Sequence, residues 1–272
     1  MDEQRTNHVS TTIDSRQVSA KYYDEAYATK EDLEDLAFYV DIAKANGGPV
    51  LELACGTGRI MLPIAREGIS IHGVDNSGPM LDVLQGKLRQ ELKDVRELVS
   101  TLQGDIRSFR SNRDYPLVII PFRPLQHMYT VEDQVAALQT AAFHLQGGGN
   151  LVFDVFYPNF DSLNSKVGQE FLELEWTPKS DPSKVIRRYL RKESVDKINQ
   201  NFTATFIFRT YQGGRLVQEE TEALRMSYYT YPHLRALFLL SGLEIVEEYG
   251  SFARTPLDNE AKQMIFVLKK SS

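Results

Sequence analysis

The residues of this chain best suited to chemistry are acids that close short apolar runs. Glu52 lies within Val50-Leu51-Glu52-Leu53, and a small-residue turn, Ala54-Cys55-Gly56-Thr57-Gly58, follows at once. Without a Cβ at Gly56 and Gly58 the backbone can take positive φ and let a ligand approach it, while the first N–H groups of the helix that resumes at Arg59 point outward unpaired. Asp75 ends a second apolar run, Ile71-His72-Gly73-Val74, and stands 17 residues beyond Gly58. That is close to the roughly 20-residue offset at which doubly wound nucleotide folds place a ribose-binding acid. Two such acids flanking one crevice can accept hydrogen bonds from ligand hydroxyl or ammonium groups. Further on, Pro121-Phe122-Arg123-Pro124-Leu125-Gln126-His127-Met128 follows a fourth apolar run. Doubly wound folds bind ligands at the carboxyl ends of strands, so Gln126 and His127 should face the crevice, with His127 the candidate base.

These residues need strands and helices to hold them, and the pattern supplies both. Val50–Leu53, Ser70–Asp75, Val99–Gln103, Tyr115–Phe122 and Leu151–Phe156 read as strands, and the near-continuous apolar run Leu117–Ile120 suits a parallel strand covered on both faces. Helices alternate with them. Thr29-Lys30-Glu31-Asp32 resembles a capping box, after which Leu33, Leu36, Ala37, Val40 and Lys44 keep helical spacing until Asn46-Gly47-Gly48-Pro49. Ser77-Gly78-Pro79-Met80 opens a helix with Leu81, Leu84 and Leu88 on one side, and Thr130 caps another that glycines 147 to 149 should end. Strands alternating with helices imply right-handed crossovers and a parallel sheet. From Phe171 to Tyr229 the helical period disappears, long alternating runs take over, and Gly213-Gly214 marks a hairpin. A helix from Pro232 to Leu240 and strands Leu243–Tyr249 and Gln263–Leu268 return the chain to its first pattern. The expected architecture is therefore α/β, a Rossmann-like doubly wound seven-stranded sheet formed by residues 1–160 and 230–272. Residues 161–229 should be an inserted antiparallel β-meander lid.

Composition narrows the function. A chain of 272 residues that is 42% hydrophobic can bury a full core. A net charge of −6 argues against a nucleic-acid partner. The one cysteine excludes an internal disulfide. No apolar run approaches the roughly 20 residues of a membrane span. The polar start Met1-Asp2-Glu3-Gln4-Arg5 lacks the apolar region of a secretory signal, so a cytoplasmic enzyme is expected. Residues 1 to 20 are polar, without periodicity, and read as weakly docked. Three tyrosines at 22, 23 and 27 give rigid amphipathic surface, suited either to closing over a bound molecule or to packing the N-terminus on the core. No His, Cys and acid cluster has metal-ligand spacing, and no metal is expected.

Taken together, the stretch from residue 22 to 270 resembles the class I S-adenosylmethionine-dependent methyltransferases, in particular small-molecule members with antiparallel strands after the fifth sheet strand. Val50-Leu51-Glu52-Leu53-Ala54-Cys55-Gly56-Thr57-Gly58 is similar to the family's first motif, with Ala54 where a first glycine is common, and alanine should bar positive φ there. The resemblance implies that this motif holds the methionine part of the cofactor. It implies too that Asp75 binds both ribose hydroxyls, that Met80 lies near the adenine, and that the loop Gly104-Asp105-Ile106 accepts from the adenine amine. Tyr23 and Tyr27 match the tyrosines that such enzymes fold over the sulfonium, where ring faces favour a cation. Sugar N-methyltransferases of this pattern carry an active-site histidine where His127 stands. S-Adenosylmethionine has no phosphate, in keeping with a turn that has no lysine between 50 and 66. The dinucleotide fingerprint of a dehydrogenase would put a third glycine at 61, where the chain has Met61.

The expected reaction is in-line transfer of a methyl group to a small-molecule acceptor, nitrogen slightly favoured over oxygen, by a monomer or homodimer that releases S-adenosylhomocysteine. Asp154 and Tyr157, at the end of the fifth strand, are candidates for the acceptor pocket, as is Gln126. The meander arginines 187, 188 and 209 are expected mainly on a solvated face; several turned inward would imply an acidic acceptor. Two other readings remain. One is a non-methylating use of the same cofactor, such as cyclisation, and the other is a noncatalytic scaffold.

Overall fold

The computed structural model describes residues 16–30, 34–164 and 167–271. The capping box expected at 29–32 and the polar stretch 1–15 fall wholly or partly outside them. In chain order the elements begin with α1 (Gln17–Tyr27), α2 (Asp35–Asn46), β1 (Val50–Leu53), α3 (Met61–Arg66), β2 (Ile71–Asp75), α4 (Gly78–Leu88), α5 (Lys93–Leu98) and β3 (Val99–Gln103). Then follow β4 (Tyr115–Ile120), a 3-10 turn (Pro124–His127), α6 (Val131–His144), β5 (Leu145–Phe156) and α7 (Phe160–Asn164). The remainder is β6 (Glu170–Trp176), β7 (Lys184–Asp196), β8 (Asn201–Gln212), β9 (Arg215–Ser227), α8 (Tyr231–Leu240), β10 (Leu243–Tyr249) and β11 (Gln263–Lys270).

Seven strands form one sheet in the order β10-β11-β5-β4-β1-β2-β3. β3, β2, β1, β4 and β5 pair in parallel, and β11 is antiparallel to both its neighbours. Apolar residues on consecutive positions explain the two-sided cover. Val118 and Ile120 of β4 join one core with α6 and α8, while Leu117 and Ile119 face the other, with α2, α3 and α4. Each such side chain buried contributes roughly 1.5–3 kcal/mol. The Ser77 hydroxyl accepts from Met80 N at 3.4 Å to start α4, and the Thr130 hydroxyl accepts from Asp133 N at 3.1 Å to start α6.

The second sheet, β6-β7-β8-β9, is wholly antiparallel, and Gly213 and Gly214 turn the β8–β9 hairpin at φ 56° and 78°. α1 lies on it. Val18, Tyr22 and Ala26, spaced i, i+4, i+8, pack against Leu174, Trp176, Ile186, Phe206, Phe208 and Leu224. From residue 17 on, the segment read as weakly docked is therefore a seated helix. Its open N-terminal amides are capped from another strand: the buried Glu222 carboxylate accepts from Val18 N at 2.9 Å and Ser19 N at 3.2 Å.

Two other expectations change. Glycines 147 to 149 lie within β5 and do not stop a helix; α6 has already ended at His144. At Gly149 a Cβ would come within 2.9 Å of the Tyr115 carbonyl, so close strand approach is what requires glycine there. The fourth strand stops at Ile120, because Phe122 and Arg123 both take positive φ, 65° and 71°.

Gly58 decides how near α4 can come to the turn. A Cβ there would sit 2.4 Å from Leu84 Cδ1, and φ is +75°. Gly58→Ala is expected to destabilise the fold by about 2–3 kcal/mol, from overpacking and left-handed strain together, seen as a lower urea midpoint at unchanged slope.

Candidate active site

The site is built where β1 and β2 end. Ala54 takes φ +63°, contrary to the expectation that alanine would bar it, and the conformation is held because Ala54 N and Cys55 N both donate to the Val74 carbonyl, at 2.6 and 3.1 Å. A non-glycine residue there costs about 1 kcal/mol, which those bonds offset. Gly56 follows at φ +53°, and a Cβ placed on it would meet nothing within 4 Å, so the turn borders open space. Asp75 binds this turn directly. Its carboxylate accepts from Gly56 N at 2.7 Å and Ser77 N at 2.8 Å, each oxygen keeping a free lone pair. Burial pushes its pKa up, against those two amides and the charge of Arg16.

Glu52 is 2% exposed, and its Oε2 has no hydrogen-bond partner among the described residues. Burial drives its carboxyl well above the ordinary carboxylate range, opposed chiefly by Arg59 and reinforced by Asp75. A buried acceptor left unmade costs about 1–3 kcal/mol, so a donor supplied there by a ligand would be bound favourably. Met80 is buried nearby at the start of α4, outside the three apolar clusters.

The crevice has a roof. Asp24 of α1 accepts from the Thr57 hydroxyl at 2.7 Å and pairs with Lys87 of α4 at 2.8 Å. On the same helix Tyr23 and Tyr27 lie ring to ring at 4.7 Å and meet the Phe122 ring at 6.2 and 4.8 Å. Burial and the Tyr27 oxygen raise the Tyr23 phenol far above its usual value, so it stays protonated. The Arg59 guanidinium covers Phe122 at 4.4 Å and is held by the fully buried Asp35 at 3.0 and 2.5 Å.

His127 sits at the end of the 3-10 turn, with Nδ1 3.1 Å from the Arg225 carbonyl and Nε2 2.5 Å from Arg16 Nη2. A carbonyl only accepts and a guanidinium only donates, so the ring is protonated at Nδ1 and offers its Nε2 lone pair. Burial first, then the Arg16 charge, lowers its pKa well below 6.5 and keeps it neutral. Arg16 also acts electrostatically on Asp75 and Tyr23, so one side chain hydrogen-bonds His127 and exerts its charge on the crevice.

Other candidates are placed differently. Gln126 does not line the crevice: it is fully buried, its amide donating to the Ser227 carbonyl at 2.8 Å and accepting from Phe156 N at 3.1 Å, so it ties β5 to β9. Asp105 stands beyond β3, but Arg107 clamps its carboxylate at 3.0 Å through Nε, and that pairing holds its pKa low; it is not a free acceptor for an amine. Ile106 turns its side chain into the core. Tyr157 packs on the same core and extends the β5–β11 ladder, its N–H donating to the Lys262 carbonyl at 2.9 Å. Asp154 is buried, accepting from Tyr39 Oη at 2.8 Å and Phe122 N at 2.7 Å. It borders a cavity of about 510 Å³ at the carboxyl ends of β4, β5 and β10, lined also by Phe122, Arg123, Phe252 and Lys262. The meander arginines divide as expected: Arg187 and Arg209 are paired on the outside, while Arg188 alone of the three is buried, between the rings of Tyr27 and Phe206. Among the described residues no three His, Cys, Asp or Glu side chains converge as a metal site, and no helix is long and apolar enough to cross a membrane.

Sequence reasoning missed Arg16, Asp24, Arg59 and Phe122. Arg59, directly after the second glycine, was the one with a positional signal.

Residues 50–149 match the profile of the Methyltransferase domain family. The fold agrees over nearly the whole chain with the CcbJ methyltransferase from Streptomyces caelestis: TM-score 0.80, 25% identity, covering 96% of this chain and 99% of that one. The chain is a class I S-adenosylmethionine-dependent methyltransferase. Among its relatives, the cypemycin N-terminal methyltransferase of a Streptomyces species is 24% identical over 225 residues, 83% of this chain and 84% of that protein. The dTDP-3-amino-3,4,6-trideoxy-alpha-D-glucopyranose N,N-dimethyltransferase of Streptomyces venezuelae is 30% identical over 123 residues, 45% of this chain and 48% of its own length.

Proposed function

We propose that the protein methylates the nitrogen of a small-molecule acceptor. The observation that carries this is the roof. α1 is bound at once to the glycine turn through Asp24 and to the antiparallel sheet through Glu222, which covers the crevice and favours a small acceptor over a macromolecular surface. The nitrogen preference draws on two relatives, one named as an N,N-dimethyltransferase and the other as an N-terminal methyltransferase. When bound, S-adenosylmethionine supplies an electrophilic methyl group on a positively charged sulfur.

The residues fit that cofactor. Glu52 offers an unmatched acceptor to an ammonium, Asp75 offers free lone pairs to ribose hydroxyls, and the space beside Gly56 admits the ligand's chain. Tyr23, Tyr27 and Phe122 turn ring faces and edges towards one another over the same opening and exclude water. We assign the 510 Å³ cavity beside Phe122 to the acceptor; its lining comes from Lys30, Phe122, Arg123, Asp154 and the segment after β10, and the antiparallel sheet of residues 161–229 contributes none of it. His127 lies outside that lining; an acceptor N–H that reaches it by displacing Arg16 from Nε2 gives its proton to the lone pair, while Arg225 holds the tautomer. The protein needs no further base for a neutral amine.

The test is to incubate the enzyme with methyl-labelled S-adenosylmethionine and a panel of amino sugars, nucleotide-linked amino sugars and peptide N-termini. Label should appear as N-methyl product. Cofactor consumption with no label in any acceptor would favour a different reaction, and label on oxygen alone would overturn the nitrogen assignment. His127→Ala is expected to lower the single-turnover rate about tenfold or more, with S-adenosylhomocysteine affinity within twofold of wild type. Because the imidazole pKa is depressed, wild-type activity should persist below pH 6.5 and fall only at more acid pH.

A further inference from the structure

The cavity assigned above to the acceptor is lined by an arginine whose donors are unused. Phe122 and Arg123 carry the chain off β4 in consecutive left-handed conformations, φ 65° and 71°, which residues with side chains rarely adopt and which other contacts must hold. Two contacts do so. Asp154 Oδ1 accepts from Phe122 N at 2.7 Å, and Gln126 N of the 3-10 turn donates to the Arg123 carbonyl at 3.0 Å. Arg123 is thereby set on the cavity wall, its side chain 38% exposed. Among the described residues its guanidinium makes no hydrogen bond: Nε is buried without one, and the carboxylate it faces, Asp154 Oδ2, stands 4.0 Å away. Other arginines of the chain are spoken for, with Arg59, Arg107, Arg187 and Arg209 each donating to a carboxylate at 3.0 Å or less.

Two lysines share that wall. Lys262, directly before β11, has no ion pair among the described residues, and Lys30 reaches Glu173 only at 4.0 Å. The acids of the same cavity leave these cations unmatched. Asp154 Oδ1 already takes two hydrogen bonds, from Tyr39 Oη and Phe122 N, and the exposed Asp258 and Glu260 pair with none of the three among the described residues. A guanidinium is a permanent cation whose parallel N–H groups fit two oxygens of one carboxylate or phosphate, and a lysine adds a point charge. We propose that Arg123, assisted by Lys262, binds an anionic group, a carboxylate or a phosphate, carried by the acceptor amine. This rests on the assignment of the cavity to the acceptor and names its substrate class: a small amine that is also an acid. Arg123 is then a specificity residue, holding a part of the acceptor that does not react so that the amine is oriented.

The probes are inorganic phosphate and malonate, titrated at constant ionic strength into protein saturated with S-adenosylhomocysteine and followed by amide NMR shifts. Wild type should bind at least one of them at a single site. Arg123→Gln should weaken that anion about tenfold or more and Lys262→Gln about threefold, while Arg187→Gln, outside the cavity, stays within about twofold. Preference for phosphate assigns a phosphorylated acceptor, and preference for malonate a carboxylate. Binding of neither anion by wild type, or equal binding by Arg123→Gln, would overturn the proposal, and a parallel loss of S-adenosylhomocysteine affinity in Arg123→Gln would make Arg123 a structural residue. With labelled cofactor, amines bearing a carboxylate or phosphate should show kcat/KM about tenfold or more above their uncharged counterparts, a preference lost in Arg123→Gln mainly through KM. Preference of wild type for uncharged amines would overturn the substrate class and leave methyl transfer intact, whereas label in no amine would bring down the acceptor reading itself.

Discussion

Asp75→Ala is expected to weaken S-adenosylhomocysteine binding by about thirtyfold or more, roughly 2 kcal/mol. Two effects add. The ligand's hydroxyl donors lose a charged acceptor, and Gly56 N and Ser77 N lose the oxygens that hold the turn and the start of α4 in place. Asp75→Asn separates them. Its amide oxygen can still accept from one backbone N–H, but its nitrogen cannot accept a hydroxyl, so the turn should survive better than the affinity. The pH dependence follows from burial, which raises the Asp75 pKa above its usual 3.8. Ribose donors favour the ionised form, so affinity is expected to fall as pH drops through that raised value, earlier than an ordinary aspartate would allow. Titration of the alanine variant at wild-type affinity would remove Asp75 from the cofactor site.

Glu52→Gln should move stability and binding in opposite directions. The folded-state pKa of Glu52 lies well above 4.5, mainly through burial. A group so shifted favours folding below its unfolded-state pKa, and that contribution is lost as pH rises through the folded-state value. At neutral pH the ligand-free protein therefore carries a buried acid whose charged form has no hydrogen-bond partner at Oε2. The neutral amide removes that burden, and the ligand-free variant should gain about 1 kcal/mol, roughly 2–4 °C in melting temperature for a chain of this size. The further rise that S-adenosylhomocysteine gives wild type should shrink in the variant, since the ammonium has lost its charge partner. The opposite pattern, a less stable apo-protein with full ligand stabilisation, would make Glu52 a structural acid.

Much of the large sheet was legible in the sequence because its strands carry unambiguous periods. Leu117 to Ile120 could only be covered on both faces, and Leu243–Tyr249 and the start at Gln263 are where the apolar alternation placed them. The antiparallel sheet was legible for the same reason, its hairpin marked by Gly213-Gly214. α1 was not. Its apolar stripe is thin, Val18, Tyr22 and Ala26, and its N-terminal cap comes from Glu222, 204 positions after Val18, where no local signal can point. Glycines 147 to 149 misled because a helix stop and a close strand approach ask for the same residue. The ends of β1 and β2 were readable because acid, glycine and spacing lie together in sequence. Gln126 and Asp105 were not, because whether a polar side chain is free depends on partners such as Ser227 and Arg107 that fold topology supplies.

The placement of α1 has a kinetic corollary. A helix of 11 residues is latched to the floor by Asp24 and to the ceiling by the bonds its first turn makes to Glu222. With the nucleoside bound beneath it as proposed above, release past α1 would require both latches to open, and turnover is expected to include an unlatching event separate from bond making. An enzyme built this way should load its nucleoside first and admit the acceptor second, and solvent viscosity should slow its steady-state rate more than its single-turnover rate.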